Sequence, residues 1–268
     1  MMLDRAIAAA ERSEDVRHLI AQSQVETVDL VTLSALDLCV LGGAQHPLFE
    51  ESVGRAWIQL GERRRRTIVE DATADMVERG LLIDDSPQPR HRGRGGSYAL
   101  KPELGLMLAA HCRPSTIVIT ETGRPGLRAP RFFALGDQTE PVRGVVMEEP
   151  TTLPTAVAGN FPHVKKLGPL GWFYRFFLLS PIRAAEVLAV LTLSPPRSSG
   201  AAVAPGWTVS AHYPGSGNPG GERLSVRGDG LTARVDDPGK GNGGLASAEY
   251  DSEGLRAIML HLITGPLR

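Results

Sequence analysis

The sequence predicts an α+β fold: an N-terminal helical part, followed by a mixed, largely antiparallel sheet with packed helices. Three observations lead to this prediction. Up to residue 113 the apolar residues recur mainly at helical spacing, with glycines between the segments. From residue 114, short runs rich in Val, Ile and Phe alternate with turn residues, as in antiparallel sheets. Two amphipathic helices follow strands within this second part.

Composition sets the class of protein. The 268 residues are 42% hydrophobic and 22% charged, with a formal net charge of −1, which is ordinary for a globular chain. Cys39 and Cys112 each lie in apolar text, which favours reduced thiols. Charges interrupt the N-terminal residues, and no apolar run approaches the ~20 residues of a membrane span. We therefore expect a cytoplasmic protein that does not contact a membrane.

The sequence divides into three parts. Residues 1–24 form an amphipathic helix, residues 25–113 a helical, winged-helix-like subdomain, and residues 114–268 a strand-rich part that ends in a helix. In the subdomain, three helices are expected. The first covers residues 28–42, the second begins at about Pro47, and the third ends at Gly80, where glycine favours a helix end. A short strand "LLID", a basic loop, a strand "SYAL" and a helix with Pro102 in its first turn follow.

The strand-rich part repeats one local plan. The segment "FYRFFLLSPIRAAEVLAVL" predicts a strand, then a helix with Ser180 as N-cap and Pro181 at its first position. The segment "LASAEYDSEGLRAIMLHLI" has the same order, with Ser252 as the corresponding cap. The shared plan is compatible with two similar halves and with chance similarity between two capped amphipathic helices, and the residues alone favour the second interpretation. Between these segments, "WTVSAHY", "RLSVRG" and "LTARVD" are predicted to form a meander of strands.

The motifs predict no catalytic, cofactor-binding or metal-binding residue. Two loops match G-x-G-x-x-G, within residues 215–220 and 239–244. Neither leads into a helix, as a dinucleotide site requires, so hairpin loops are the better interpretation. The seven histidines show no metal spacing, and a G-x-S-x-G elbow is absent from the sequence. We therefore expect a protein that is not an enzyme, although an active site assembled only in space stays open.

A basic loop is the main candidate for binding. Arg90, Arg92 and Arg94 alternate within "RHRGRGG". Three helices, a strand, this loop and another strand follow the order of a winged helix, and "MVERGLLIDDSPQPRHRGRGGSYALKPELG" resembles the text of bacterial winged-helix regulators. In such a wing the three arginines would contact phosphates, with the run Arg63–Arg66 adding to them.

The helix before the loop argues against DNA reading. Its apolar face is formed by Ile68, Val69, Ala72 and Met76, which leaves an outward acidic stripe at Asp71, Asp75 and Glu78. That stripe would bring like charges together in a major groove. Two readings of the arginine loop stay open: contacts to phosphates or an acidic partner, or a solvated connection. The corresponding alternative function is a winged-helix transcriptional regulator with a C-terminal sensing or dimerisation domain.

Over residues 25–265 the chain resembles the EspG family of actinobacterial type VII secretion-associated proteins. The resemblance is carried by "VDLVTLSALDLCVLGGAQHPLF", "ERGLL", "LKPELGLMLAA" and above all the end, "GLTARVD", a glycine loop and "ASAEYDSEGLRAIMLHLI". It implies a cytosolic, cofactor-free chaperone that binds secreted proteins of the PE–PPE type. The arginine loop and Arg63–Arg66 depart from the family pattern. They leave the substrate open, and no binding residue is carried over.

Overall fold

A computed structural model of the chain describes residues 12–42, 50–84, 98–122, 128–136, 141–151, 168–194, 206–214, 221–237 and 246–265. Within these ranges it has seven α-helices and eleven strands, which confirms the predicted α+β class. The helices are α1 (Glu14–Ser23), α2 (Ala35–Gly42), α3 (Glu51–Gln59), α4 (Glu62–Glu78), α5 (Pro102–Cys112), α6 (Pro181–Leu193) and α7 (Ser252–Thr264). The strands are β1 (Val28–Ser34), β2 (Leu82–Asp84), β3 (Tyr98–Leu100), β4 (Thr116–Thr122), β5 (Arg131–Leu135), β6 (Gly144–Thr151), β7 (Phe173–Leu179), β8 (Trp207–His212), β9 (Glu222–Gly228), β10 (Ala233–Asp237) and β11 (Ala246–Tyr250).

Nine of these strands form one sheet, in the order β1-β7-β6-β5-β4-β8-β9-β10-β11, and β2 pairs with β3 separately. Each pairing along the run from β6 to β11 is antiparallel, as the sequence predicts for most of the sheet. The register fixes which side chains share a face. Val118 of β4, for example, lies opposite Phe132 of β5 and Ala211 of β8.

The chain divides into two compact units, and each is built from separate stretches of sequence. The first joins Asp29–Cys112 with Pro150–Phe176, and the second joins Arg113–Glu149 with Phe177–Arg268. The structure therefore groups residues 150–176 with the helical residues 29–112. The sequence division places the same residues in the strand-rich part.

The prediction of one helix over residues 28–42 is wrong for its first half. Val28–Ser34 is strand β1, and α2 begins only at Ala35. The apolar residues of this stretch fit either period, so periodicity alone does not separate strand from helix. The helix start is fixed instead by a capping box. The Ser34 N–H donates to the Asp37 carboxylate at 2.9 Å, and the Asp37 N–H donates to the Ser34 hydroxyl at 3.1 Å.

The later elements of the first unit follow the sequence prediction. α3, β2, β3 and α5 lie within the predicted segments, with Pro102 opening α5, whereas α4 begins at Glu62, three residues before the predicted stretch "RRTIVEDATADMVERG". α4 ends in a Schellman motif around Gly80, whose φ of 66° favours glycine. The N–H groups of Gly80 and Leu81 donate to the carbonyls of Val77 and Met76, at 2.9 and 2.8 Å.

The core of the second unit lies between one sheet face and the helices α6 and α7. Inward side chains from β4, β8, β9 and β10 alternate with outward ones, as the two-residue period of a strand requires. The covered sides of the helices carry both small residues, such as Ala184, and branched residues, such as Leu188, so the helices pack closely on the sheet. Fully or almost fully buried in this core are Val118, Phe132, Val209, Ala211, Val226, Ala233, Ala184, Leu188, Leu255, Met259 and Leu262.

Both helices of the second unit begin with a side-chain cap. The Ser180 hydroxyl accepts from the Arg183 N–H at 3.2 Å, with Pro181 next to it, which confirms the predicted start of α6. In α7 the cap is Asp251, which accepts from the Gly254 N–H at 2.8 Å. The expectation that Ser252 caps this helix is therefore wrong. The shared order of strand, cap and helix stands. The two segments also share an Arg-Ala pair, but Arg183–Ala184 and Arg256–Ala257 lie at different distances from their caps.

The predicted N-terminal helix is described only from Glu14 to Ser23, as α1. The first-turn acids Glu14 and Asp15 suit the positive end of the helix dipole. Residues 1–11 of the predicted helix lie outside the described residues. Among the residues that the structure describes, none of the helices combines the length and apolarity needed to cross a membrane.

Candidate functional site

Arg90, Arg92 and Arg94 fall in residues 85–97, outside the described residues. The structure describes the strands on either side of them, β2 and β3. β2 and β3 pair antiparallel, with Leu82 opposite Leu100 and Ile83 opposite Ala99. The loop that carries the arginines therefore connects two paired strands, as a wing does, and the contacts of the three arginines stay a prediction.

The two glycine-rich loops connect neighbouring strands. Residues 215–220 and 239–244 themselves lie outside the described residues. The first loop lies between β8 and β9 and the second between β10 and β11, and both strand pairs are antiparallel. These are hairpin connections, as predicted. A dinucleotide site would need a strand followed by the N-terminus of a helix.

The acidic stripe of α4 is partly used inside the protein. Asp71 and Glu78 are exposed, as the sequence predicts, while Ala72 and Met76 on the opposite side are buried. Asp75, however, accepts an ion pair from Arg79 at 2.8 Å. The stripe therefore presents fewer unpaired charges than the sequence suggests, although it still offers no Arg, Asn or Gln for reading a base edge.

Arg79 links α4 to α2 through a carboxylate that sequence reasoning missed. Its guanidinium lies 3.0 Å from the buried Asp37 carboxylate, as well as pairing with Asp75. Asp37 is the same residue that caps α2, so one side chain fixes a helix start and a contact between helices. Such a buried, hydrogen-bonded pair has a structural role, because removing one partner leaves an uncompensated charge.

The run Arg63–Arg66 lies in the first turns of α4. Arg66 pairs with Glu62 one turn earlier, whereas Arg63 and Arg64 are exposed. They border a shallow, open depression of about 650 Å³, which Gly61, Glu62, Thr67 and Ile68 also line. Since the depression is open to solvent, the basic residues here form a solvated surface and no enclosed ligand site.

Two titratable side chains of the described residues have a pKa that burial raises. No group of three or more His, Cys, Asp and Glu side chains within that part of the chain could hold a metal ion. Burial raises the pKa of Cys39 to about 12, so its thiol stays protonated and unreactive at neutral pH. Burial, with the Glu222 carboxylate adding to it, also raises the pKa of Tyr213 above its usual range.

The solvent side of α6 presents exposed aliphatic residues. Ile182, Glu186 and Val190 follow one another at four-residue spacing, so they lie along one ridge of the helix. Ile182 is 59% exposed and Val190 is 63% exposed, although both are large aliphatic side chains. From Ile182 to Val190 the ridge extends ~12 Å along the helix axis, at a rise of about 1.5 Å per residue.

A charged bridge links α6 and α7 at Glu186, the middle residue of this ridge. The Arg183 guanidinium donates to Glu186 at 2.9 Å, and Arg256 of α7 lies 3.6 Å from the same carboxylate. Next to Arg256 on α7, Ala257 is exposed and Leu260 is half-buried. We call this surface the α6–α7 outer face; it comprises Ile182, Arg183, Glu186, Val190, Arg256, Ala257 and Leu260.

Comparisons with models of protein families, with curated proteins and with solved structures found no match to this chain. The function must therefore be argued from the surfaces themselves.

Proposed function

We propose that this protein is a non-enzymatic, EspG-like chaperone of the cytoplasm that holds a helical protein partner on the α6–α7 outer face. The observation that carries the proposal is the exposure of Ile182 and Val190 on one ridge of α6. Both belong to a helix whose other side is fully packed, so their exposure is not caused by a poorly formed core.

The spacing of this ridge suits a helix as the partner. Rows of side chains four residues apart form the ridges that pack into the grooves of another helix. An amphipathic partner helix would cover Ile182 and Val190 with its own apolar residues and remove them from water. Full burial contributes ~1.5–3 kcal/mol for each large aliphatic side chain, which is enough to make two residues important for affinity.

The charges next to the ridge favour a specific partner. Arg183 and Arg256 both point to Glu186, which leaves one net positive charge among these three residues. In protein interfaces an apolar centre is usually surrounded by polar residues that set orientation and exclude other partners. A partner helix with acidic residues beside its apolar stripe would satisfy this pattern.

The resemblance to the EspG family adds the type of partner. The closing segment on which the resemblance depends most, "GLTARVD" to "AIMLHLI", forms β10, β11 and α7. α7 is half of the outer face. A secreted partner of the PE–PPE type follows from the resemblance alone.

The test is co-expression with PE–PPE protein pairs from the same genome, followed by affinity purification of the complex. We expect the wild type to retain a partner and the double variant Ile182→Asp/Val190→Asp to lose it. Leu231→Asp is the matched control, because Leu231 is an exposed aliphatic residue (81%) in the β9–β10 turn. Retention of the same partner by the double variant, or loss with Leu231→Asp, would contradict the proposal.

The β2–β3 hairpin favours one alternative, a winged-helix regulator. Gel-shift assays at increasing salt distinguish the two functions. Affinity for DNA that falls steeply with salt, and that is lost on changing Arg90, Arg92 and Arg94 to Ala, would favour the regulator. Absence of binding at low salt would exclude it and leave the chaperone.

A further inference from the structure

The strands β8 to β11 have a second face, opposite the helices α6 and α7, that is polar and carries three arginines. The register places these side chains together although they come from separate strands. We call it the arginine face; it comprises Thr208, Ser210, His212, Arg223, Ser225, Arg227, Arg234, Asp236, Ser247 and Glu249. The three arginines, Ser247 and Glu249 are exposed.

Two of the arginines oppose each other directly. Arg227 of β9 and Arg234 of β10 are register partners, an arrangement that costs energy because like charges face each other. One carboxylate offsets this. Asp236, which is only 5% exposed, accepts from Arg227 at 2.9 Å and lies 3.5 Å from Arg234.

The surrounding residues hold both guanidinium groups in place. Arg234 donates to the Ser247 hydroxyl at 2.6 Å. The stem of Arg227 lies over Gly206, where a Cβ atom would come within 2.7 Å of the Arg227 Cγ and of the Val226 carbonyl oxygen. The glycine therefore leaves room for the arginine. Glu249 is the register partner of Arg234 but makes no ion pair with it among the described residues, so the two oriented arginines retain capacity for a second anionic group.

Two further charges of the face lack an ion-pair partner. Arg223 and Glu249 make no ion pair or side-chain hydrogen bond within the part of the chain that the structure describes. Arg223 lies on the same strand as Arg227 and four residues before it, which places the two ~13 Å apart on one face. The face has three arginines and two carboxylates, so its net charge is positive.

We propose that the arginine face binds an acidic segment of a partner protein in extended conformation, with two carboxylates four residues apart. In an extended chain, residues four apart point to the same side and are separated by the same ~13 Å. One carboxylate lies between Arg227 and Arg234, and the other pairs with Arg223. Because this surface is on the opposite side of the sheet from α6 and α7, the inference goes beyond the proposed function.

The chemistry of the face favours carboxylates over nucleic acid. The face carries no Phe, Tyr or Trp side chain on which a base could stack, and its one ring is the partly exposed His212. Asp236 and Glu249 would repel the continuous negative charge of a phosphate backbone more strongly than two separate carboxylates that each lie against an arginine.

The test uses the full chain and a fluorescein-labelled peptide, rich in threonine and valine, with two glutamates four residues apart. Fluorescence anisotropy at low salt gives its affinity. A control peptide with the glutamates on consecutive positions directs them to opposite sides. Arg223→Gln is the main variant, because within the described residues this side chain makes no ion pair or side-chain hydrogen bond whose loss could disturb the fold. Arg183→Gln, on α6, is the matched control.

We expect Arg223→Gln to weaken binding by about threefold to tenfold, as for one partly exposed charge-assisted contact, and Arg183→Gln to leave it unchanged. Glu249→Gln should strengthen binding, since it removes a repelling carboxylate. The control peptide should bind more weakly than the first.

Four results would overturn the proposal: no binding of the first peptide, equal affinity for both peptides, an unchanged affinity of Arg223→Gln, or an equal loss with Arg183→Gln. A single-stranded DNA probe that binds more tightly than the peptide would also overturn it. The variant Val190→Asp should bind the peptide like the wild type, so failure of this site and failure of the α6–α7 outer face can be told apart.

Discussion

The two faces of the strands β8 to β11 differ in what they contribute. On one face, Val209, Val226 and Val235 are buried beneath α6 and α7. On the other face, at the positions that alternate with these core residues, charged and hydroxyl side chains face solvent. Because a strand alternates its side chains, the same five to seven residues serve both purposes. We infer that stability is concentrated on the covered face, and that the open face is available for recognition.

The largest expected effect comes from opening a hole in the covered face. Leu188 of α6 is fully buried in the core of the second unit, so Leu188→Ala should destabilise the protein by ~2–5 kcal/mol. Ser225→Ala, on the open face, should change stability by less than ~0.5 kcal/mol. Urea unfolding of both variants measures the difference. Similar losses in the two variants would refute the distinction between the faces.

A smaller effect is expected at the start of α6, the helix that covers the face. Ser180→Ala removes the hydroxyl that accepts from the Arg183 N–H, and should cost ~1 kcal/mol. Ser180→Asp should restore most of this loss, because aspartate is an equally good cap. Chemical denaturation of the pair tests the prediction, and a failure of aspartate to rescue would indicate that packing around Ser180 matters more than capping.

On the open face, the expected effect depends on pH. Hydrogen bonds from Arg227 and then Ser247 lower the pKa of Asp236. A carboxyl group with a lowered pKa adds stability above its ordinary pKa, and this stability is lost as the pH falls through the lowered value. Asp236→Asn should therefore reduce stability at neutral pH and flatten its fall on acidification. The pKa of Asp229 is lowered by the N–H groups of Thr232 and Leu231, and this residue keeps its contribution to stability in the Asp236→Asn variant. Unfolding midpoints of both proteins between neutral and acidic pH test this, and parallel curves would contradict it.

The smallest effect on stability is expected on the α6–α7 outer face. Val190 is 63% exposed, so Val190→Asp should change the free energy of unfolding by no more than ~0.5 kcal/mol. A thermal scan beside the wild type measures this change. A large drop in the unfolding temperature would mean that the residue belongs to the core, and its loss of partner binding could then not be interpreted.

Much of the fold could be predicted from the sequence, because most elements have clear local signals. The Pro102 and Ser180–Pro181 helix starts are examples, as are the hairpins around glycine-rich loops. The helix prediction for residues 28–34 is wrong because their apolar spacing fits a strand and a helix equally. Pairing with β7 decides in favour of the strand. The capping box at Ser34 and Asp37 was visible in the sequence and would have placed the helix start correctly.

Candidate surfaces were harder to predict than elements. Arg90, Arg92 and Arg94 attract notice because they are close in sequence. Arg227 and Arg234 become neighbours only through the register of β9 and β10, which is set by the turn at Asp229. The outer face of α6 is similar, since the exposure of Val190 depends on which side of the helix the sheet covers. Sequence spacing alone supplies neither of these facts.

The most direct test of the central claim is site-specific photo-cross-linking during co-expression with PE–PPE pairs. A benzoylphenylalanine is placed at Val190 on the outer face of α6, and, in a second protein, at Ser225 on the opposite side of the same unit. The account predicts that position 190 forms a cross-link to a helix of the secreted partner and that position 225 forms none to that helix. A helix cross-linked equally from both positions, or from position 225 alone, would contradict it.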